Sequence, residues 1–96
     1  MKLILTQDPR RPYEFLTTGV DRRKHKEAVL NRLGPLLPSE HQYSVMRYLW
    51  SIPDHRINRE MANMLHGGMI DVSTHPLRRV VFSQEQLTYL RSHFEY

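Results

Sequence analysis

The sequence predicts a small α+β domain with the element order β-β-α-α-α-β-β-α, and three observations carry that expectation. Apolar residues recur at helical spacing through the middle of the chain, at Val29, Leu30 and Leu33 and again at Ile57, Met61, Met64 and Leu65. Short apolar runs with β-branched or aromatic residues, "KLILT" and "YEFLTT" early on and "MIDVS" and "RRVVFS" later, have the length of strands. Two segments, Ser39 to Gln42 and Ser83 to Gln86, fit the S-x-x-Q pattern that opens a helix.

Taken in order, "KLILT" and "YEFLTT" flank Asp8-Pro9-Arg10-Arg11-Pro12, where two prolines rule out regular pairing. An N-terminal β-hairpin over about 2–18 is expected, with Arg10 and Arg11 on its stiff loop. A helical core over about 21–66 follows. Asp21 is placed to cap its first helix, which Gly34-Pro35 ends. The second helix runs from Ser39 to about Ser51, and Tyr43, Val45, Met46, Tyr48, Leu49, Trp50 and Ile52 spread over more than one of its faces. It is expected at the centre, buried from several sides. Asp54 or Asn58 can cap the third helix, and Gly67-Gly68 stop it. A second hairpin over about 69–82 turns at Thr74-His75-Pro76-Leu77, and a last helix over about 84–94 sets Leu87, Leu90 and Phe94 on one side. No repeat or flexible linker divides the 96 residues, so a single domain, 1–96, is expected.

Apolar residues make up 40% of the chain and charged residues 25%, enough for one modest core and against both a membrane protein and a disordered one. No apolar run nears the roughly 20 residues of a spanning helix, and the start lacks a signal-like apolar stretch. With no cysteine, disulfides and thiolate metal sites are excluded, which fits a reducing compartment; a soluble, cytoplasmic protein is expected.

The net charge is +4 and unevenly placed: residues 1–26 carry seven bases against three acids, while residues 27–96 carry seven of each. Such asymmetry points to a polyanion or an acidic protein surface. Arg22, Arg23, Lys24 and Lys26 fall near the start of the first helix, where free N–H groups already favour a phosphate.

Catalytic chemistry finds little footing. The six histidines, His25, His41, His55, His66, His75 and His93, form no H-x-H, H-E-x-x-H or zinc-finger spacing. No P-loop, G-x-S-x-G or paired-carboxylate pattern is present. No enzyme activity, metal or cofactor is expected.

What remains is a helix–ribbon pattern. "LPSEHQYSVMRYL", "INREMANML" and "GGMIDVSTHPLRRVVFS" give residues 37–90 a resemblance to winged helix-turn-helix proteins, MarR-like regulators in particular. Two registers are open. If 58–65 matches the helix before the recognition helix, one helix is missing ahead of the wing; if 21–33, 39–51 and 57–66 are the three helices, the third is the reader. The second register would expose Arg56, Asn58, Arg59 and Asn63 around the apolar stripe.

The resemblance implies binding to duplex DNA by occupancy, as a regulator of transcription. Arg10, Arg11, Arg22, Arg23, Lys24 and Lys26 would grip the backbone, Arg56, Asn58, Arg59 and Asn63 would meet base edges, and Arg78 and Arg79 would lie on the wing. One of that last pair could instead bond Asp71 across the hairpin. A second function class is a protein-interaction module, such as the inhibitors and regulators of host enzymes or transcription complexes that mobile elements encode. Its anchors would be Tyr43, Tyr48, Trp50, Tyr89, Phe94, Tyr96 and arginine. MarR-like proteins dimerise through long flanking helices that this chain lacks, so a homodimer would use the N-terminal hairpin edge or the final helix.

Overall fold

A computed structural model describes residues 3–5, 19–74 and 77–95. Arg10, Arg11, the "YEFLTT" segment, His75 and Tyr96 lie outside them. The described chain is an α+β domain: β1 (Leu3–Ile4), α1 (Gly19–Leu33), α2 (Ser39–Ser51), α3 (Ile57–Gly67), β2 (Met69–Thr74), β3 (Leu77–Val81), α4 (Gln84–Arg91) and β4 (Phe94–Glu95). Single 3₁₀ turns at Gly34–Leu36 and Asp54–Arg56 join the first three helices. Among the described residues, no helix is long and apolar enough to cross a membrane.

The three helices and the β2–β3 ribbon close over one core. Val29, Leu30 and Leu33 of α1, Val45 and Leu49 of α2, and Ile57, Met61, Met64 and Leu65 of α3 are all fully buried. Ile70 and Val80, cross-strand partners in the antiparallel ribbon, seal it from below with Phe82. The methionine-containing stripe of α3 is therefore core. Helix α2 departs from expectation: it buries Val45 and Leu49 but leaves Tyr43 74% and Trp50 39% exposed. It is a flank helix with an open outer side.

Helix ends obey the sequence unevenly. Ser83 forms the expected capping box: its Oγ accepts from the Gln86 backbone N–H at 3.2 Å, and Gln86 Oε1 accepts from the Ser83 N–H at 3.2 Å. Ser39 does not repeat it. Pro38, in extended geometry, holds the cap position of α2, and Ser39 is already the first helical residue. Gln42 is thus free to donate to Gly34 O at 2.7 Å instead. Asp21 likewise sits inside the first turn of α1, which begins at Gly19, and not at its cap. The third helix is entered through the Asp54–Arg56 turn, with no side-chain cap from Asp54 or Asn58. Gly68 ends it in the left-handed region, φ 72°, its N–H bonding Met64 O at 2.9 Å.

Each of the three core helices has its C-terminal carbonyls bonded by a side chain from another helix. Gln42 serves the end of α1; Lys26 serves the end of α2. Arg91 serves α3, its Nε donating to Leu65 O at 2.7 Å. Two of these three donors are cationic, as the negative end of a helix dipole favours.

The chain ends meet. β1 pairs with β4 in parallel, Leu3 opposite Phe94 and Ile4 opposite Glu95, and Leu5 N–H donates to Glu95 O at 2.6 Å. The last helix accordingly stops at Arg91, short of residue 94, and Phe94 enters the core from a strand. Among the described residues, the early strand's partner is the end of the chain.

Candidate nucleic-acid interface

Helix α3 divides cleanly. Its apolar stripe is buried, and Arg59, Asn63 and His66, at i, i+4 and i+7, line the exposed side, with Arg56 one turn earlier. Arg56, in the turn that enters α3, reaches Glu60 Oε1 of that helix at 3.3 Å. Arg59 has no ion pair among the described residues. Asn58 points elsewhere: its Oδ1 accepts from His25 Nε2 of α1 at 2.7 Å. That bond removes Asn58 from the row of candidate readers and brings the basic start of α1 beside the start of α3.

The α1 bases have three fates. Arg23 and Lys24 are exposed, Arg23 lying 3.6 Å from Glu27, one turn on. Arg22 is half-buried; its Nε is shielded and has no hydrogen-bond partner among the described residues. Lys26 is a correction. Expected on the backbone-gripping face, it is only 2% exposed. Its ammonium donates to Trp50 O at 3.0 Å and Ile52 O at 2.5 Å, lies 3.2 Å from Asp54 Oδ1, and sits 5.9 Å from the Trp50 ring centroid. Three acceptors use all three protons, so no phosphate can reach it.

Both ribbon arginines are exposed. Arg79 Nε donates to Asp71 Oδ1 at 3.1 Å across the hairpin. The register shifts between Asp71 and Ser73, so that Arg78 stands opposite Ser73. A bulge of this kind re-aims the end of a ribbon, and Arg78 has no ion pair among the described residues. The carboxylate pairs of Arg23 and Arg79 are solvent-exposed, and pairs of that kind contribute at most about 1 kcal/mol. A phosphate can compete for either arginine.

Between α2, α3 and β2 lies a cleft of about 270 Å³ that residue spacing did not reveal, lined by Tyr48, Glu60, Asn63, Met64, Met69, Ile70 and Asp71. Burial pushes the Tyr48 phenol above its ordinary value near 10; the negative Glu60 and Asp71 add to this, while Arg56 opposes. Two of its lining side chains, Glu60 and Asp71, are carboxylates, which makes the cleft itself unfavourable for phosphate.

A phenol whose folded value is raised stays protonated after the unfolded chain has begun to ionise. Its contribution to stability is complete below pH about 10 and is lost as pH rises through the folded value. In an ultraviolet titration, the latest-ionising tyrosine component should vanish in Tyr48→Phe. Its survival would reject the assignment.

Among the described residues, no group of three or more histidine or carboxylate side chains is placed to hold a metal ion. A scan against protein-family models gives no match, and searches of curated proteins and of solved structures give none either.

Proposed function

We propose that the protein binds duplex nucleic acid by occupancy, using α3 as the reading helix, the β2–β3 ribbon as a wing and the start of α1 as a backbone clamp. The observation that supports this most is the placement of cations from separate parts of the chain. Arg59 stands on the outer row of α3 and Arg56 in the turn that enters it, Arg78 and Arg79 on the ribbon that follows, and Arg23 and Lys24 on a helix tied to α3 through His25 and Asn58. Three helices followed by a ribbon is also the order that the winged-helix resemblance requires, in the register that makes 57–66 the reader.

Arg59 and Asn63 are the side chains suited to base edges, since a guanidinium can bridge two guanine acceptors and an amide can pair with adenine. The others suit phosphates. With about five phosphate contacts, affinity for duplex DNA should fall roughly 500-fold between about 50 and 200 mM salt. A titration of the whole chain against a labelled duplex measures this. A shallow salt slope, or no binding at the lowest salt by a folded protein, would defeat the reading.

A further inference from the structure

On its outer side α2 carries an acid, an aromatic ring and a base in one row. Glu40, Tyr43 and Arg47 stand at i, i+3 and i+7, within roughly 60° of one another around a helix turning about 100° per residue. Trp50, seven residues past Tyr43, extends the row. The Glu40 side chain is 70% exposed, Tyr43 and Trp50 are exposed, and so is Arg47. Arg47 has no ion pair among the described residues. Glu40 meets only the ring of His41 there, at 3.7 Å, past hydrogen-bond length.

The inner row of the same helix is occupied. His41 packs edge-on to Phe82, Val45 is core, and Tyr48 lines the cleft shared with α3 and β2. The outer row therefore points away from both α3 and the ribbon.

We propose that this row is a homodimer interface, in which α2 packs antiparallel against α2 of a second copy. The argument is self-complementarity. With the two-fold axis between residues 43 and 44, positions equidistant from it face each other, so Glu40 of each copy meets Arg47 of the other. The two Tyr43 rings meet at the axis, and Trp50 reaches the 35–38 turn of the second copy. A purely acidic partner would leave Glu40 opposed by like charge, and a purely basic one would do the same to Arg47. A second copy satisfies both, and isologous symmetry closes the pair. Trp50 is well prepared as an anchor, since Lys26 holds its carbonyl and lies near its ring.

One helix pair falls toward the small end of specific interfaces, below about 1,200 Å² in total, so a transient dimer in the micromolar range is expected. It leaves Arg59, Asn63 and Arg78 uncovered and does not rest on the nucleic-acid reading.

Sedimentation equilibrium of the whole chain without nucleic acid, from about 1 μM to about 1 mM, tests it. Glu40→Arg sets bases against bases, and Arg47→Glu sets acids against acids. Each alone should raise the dissociation constant about tenfold or more, and the double variant should return to within about threefold of the parent by restoring opposite charges. If a charge variant unfolds, Tyr43→Ser, which removes the ring from the axis, should weaken the dimer similarly. A chain that stays monomeric to the highest concentration overturns the proposal. So does a dimer indifferent to these changes, or a double variant as weak as the singles.

Discussion

Lys26→Met should lower the unfolding free energy by about 3 kcal/mol, the low end of the cost of breaking a buried ion pair. The low end applies because the Asp54 side chain is 31% exposed and can rehydrate once its partner is gone. The substitution keeps the apolar stem but removes the ammonium. Trp50 O and Ile52 O, at the negative end of α2, are then left without their donor. For a domain of this size that loss corresponds to a melting temperature lower by roughly 15 °C. Lys24→Met, two positions away and exposed, should stay within about 0.5 kcal/mol of the parent. Thermal melts of the two variants decide the matter. If Lys26→Met melts within a few degrees of the parent, the ammonium is not what joins α1 to the end of α2.

The position of Lys26 was legible in part. It precedes Val29 and Leu30 by three and four residues and Leu33 by seven, so helical spacing alone puts it on the apolar side of α1. Reading it with Arg22, Arg23 and Lys24 as one basic run gave charge priority over periodicity. Its acceptors were not legible, because they are two backbone carbonyls and the Asp54 carboxylate, all more than 20 residues away and brought near only by packing. The same division runs through the fold. Ser83 and Gln86 cap a helix as their spacing foretells, since every atom of a capping box is local. Ser39 and Gln42 have identical spacing, yet Pro38 takes the cap position and Gln42 bonds Gly34 O, a neighbour from the preceding turn. β1 and β4 find each other across almost the whole chain, and two-residue strands carry no pattern that could announce it. In the candidate site, the Asp71–Arg79 pair was accessible from hairpin alternation. The bond from His25 to Asn58, which takes one candidate reader out of the row and ties α1 to α3, was not.

Combining Lys24→Ala, Arg59→Ala and Arg78→Ala should weaken duplex DNA binding by roughly 10³-fold at low salt, if each contact contributes about 1 to 1.5 kcal/mol, and reduce the salt slope by about two, the share of the two phosphate contacts, Lys24 and Arg78. These three cations come from α1, α3 and the ribbon, are exposed, and have no ion pair among the described residues, so removing them leaves no carboxylate stranded. Stability should change little, which separates this variant from Lys26→Met. The single changes should differ in kind. Lys24→Ala should lower affinity about equally for all sequences and take about one unit from the slope, as a phosphate contact does. Arg59→Ala should also flatten the preference among sequences, because a guanidinium on the outer row of a reading helix can discriminate guanine. Should the triple variant, shown to be folded, bind duplex DNA within about threefold of the parent, the exposed cations of α1, α3 and the ribbon are not where a polyanion docks.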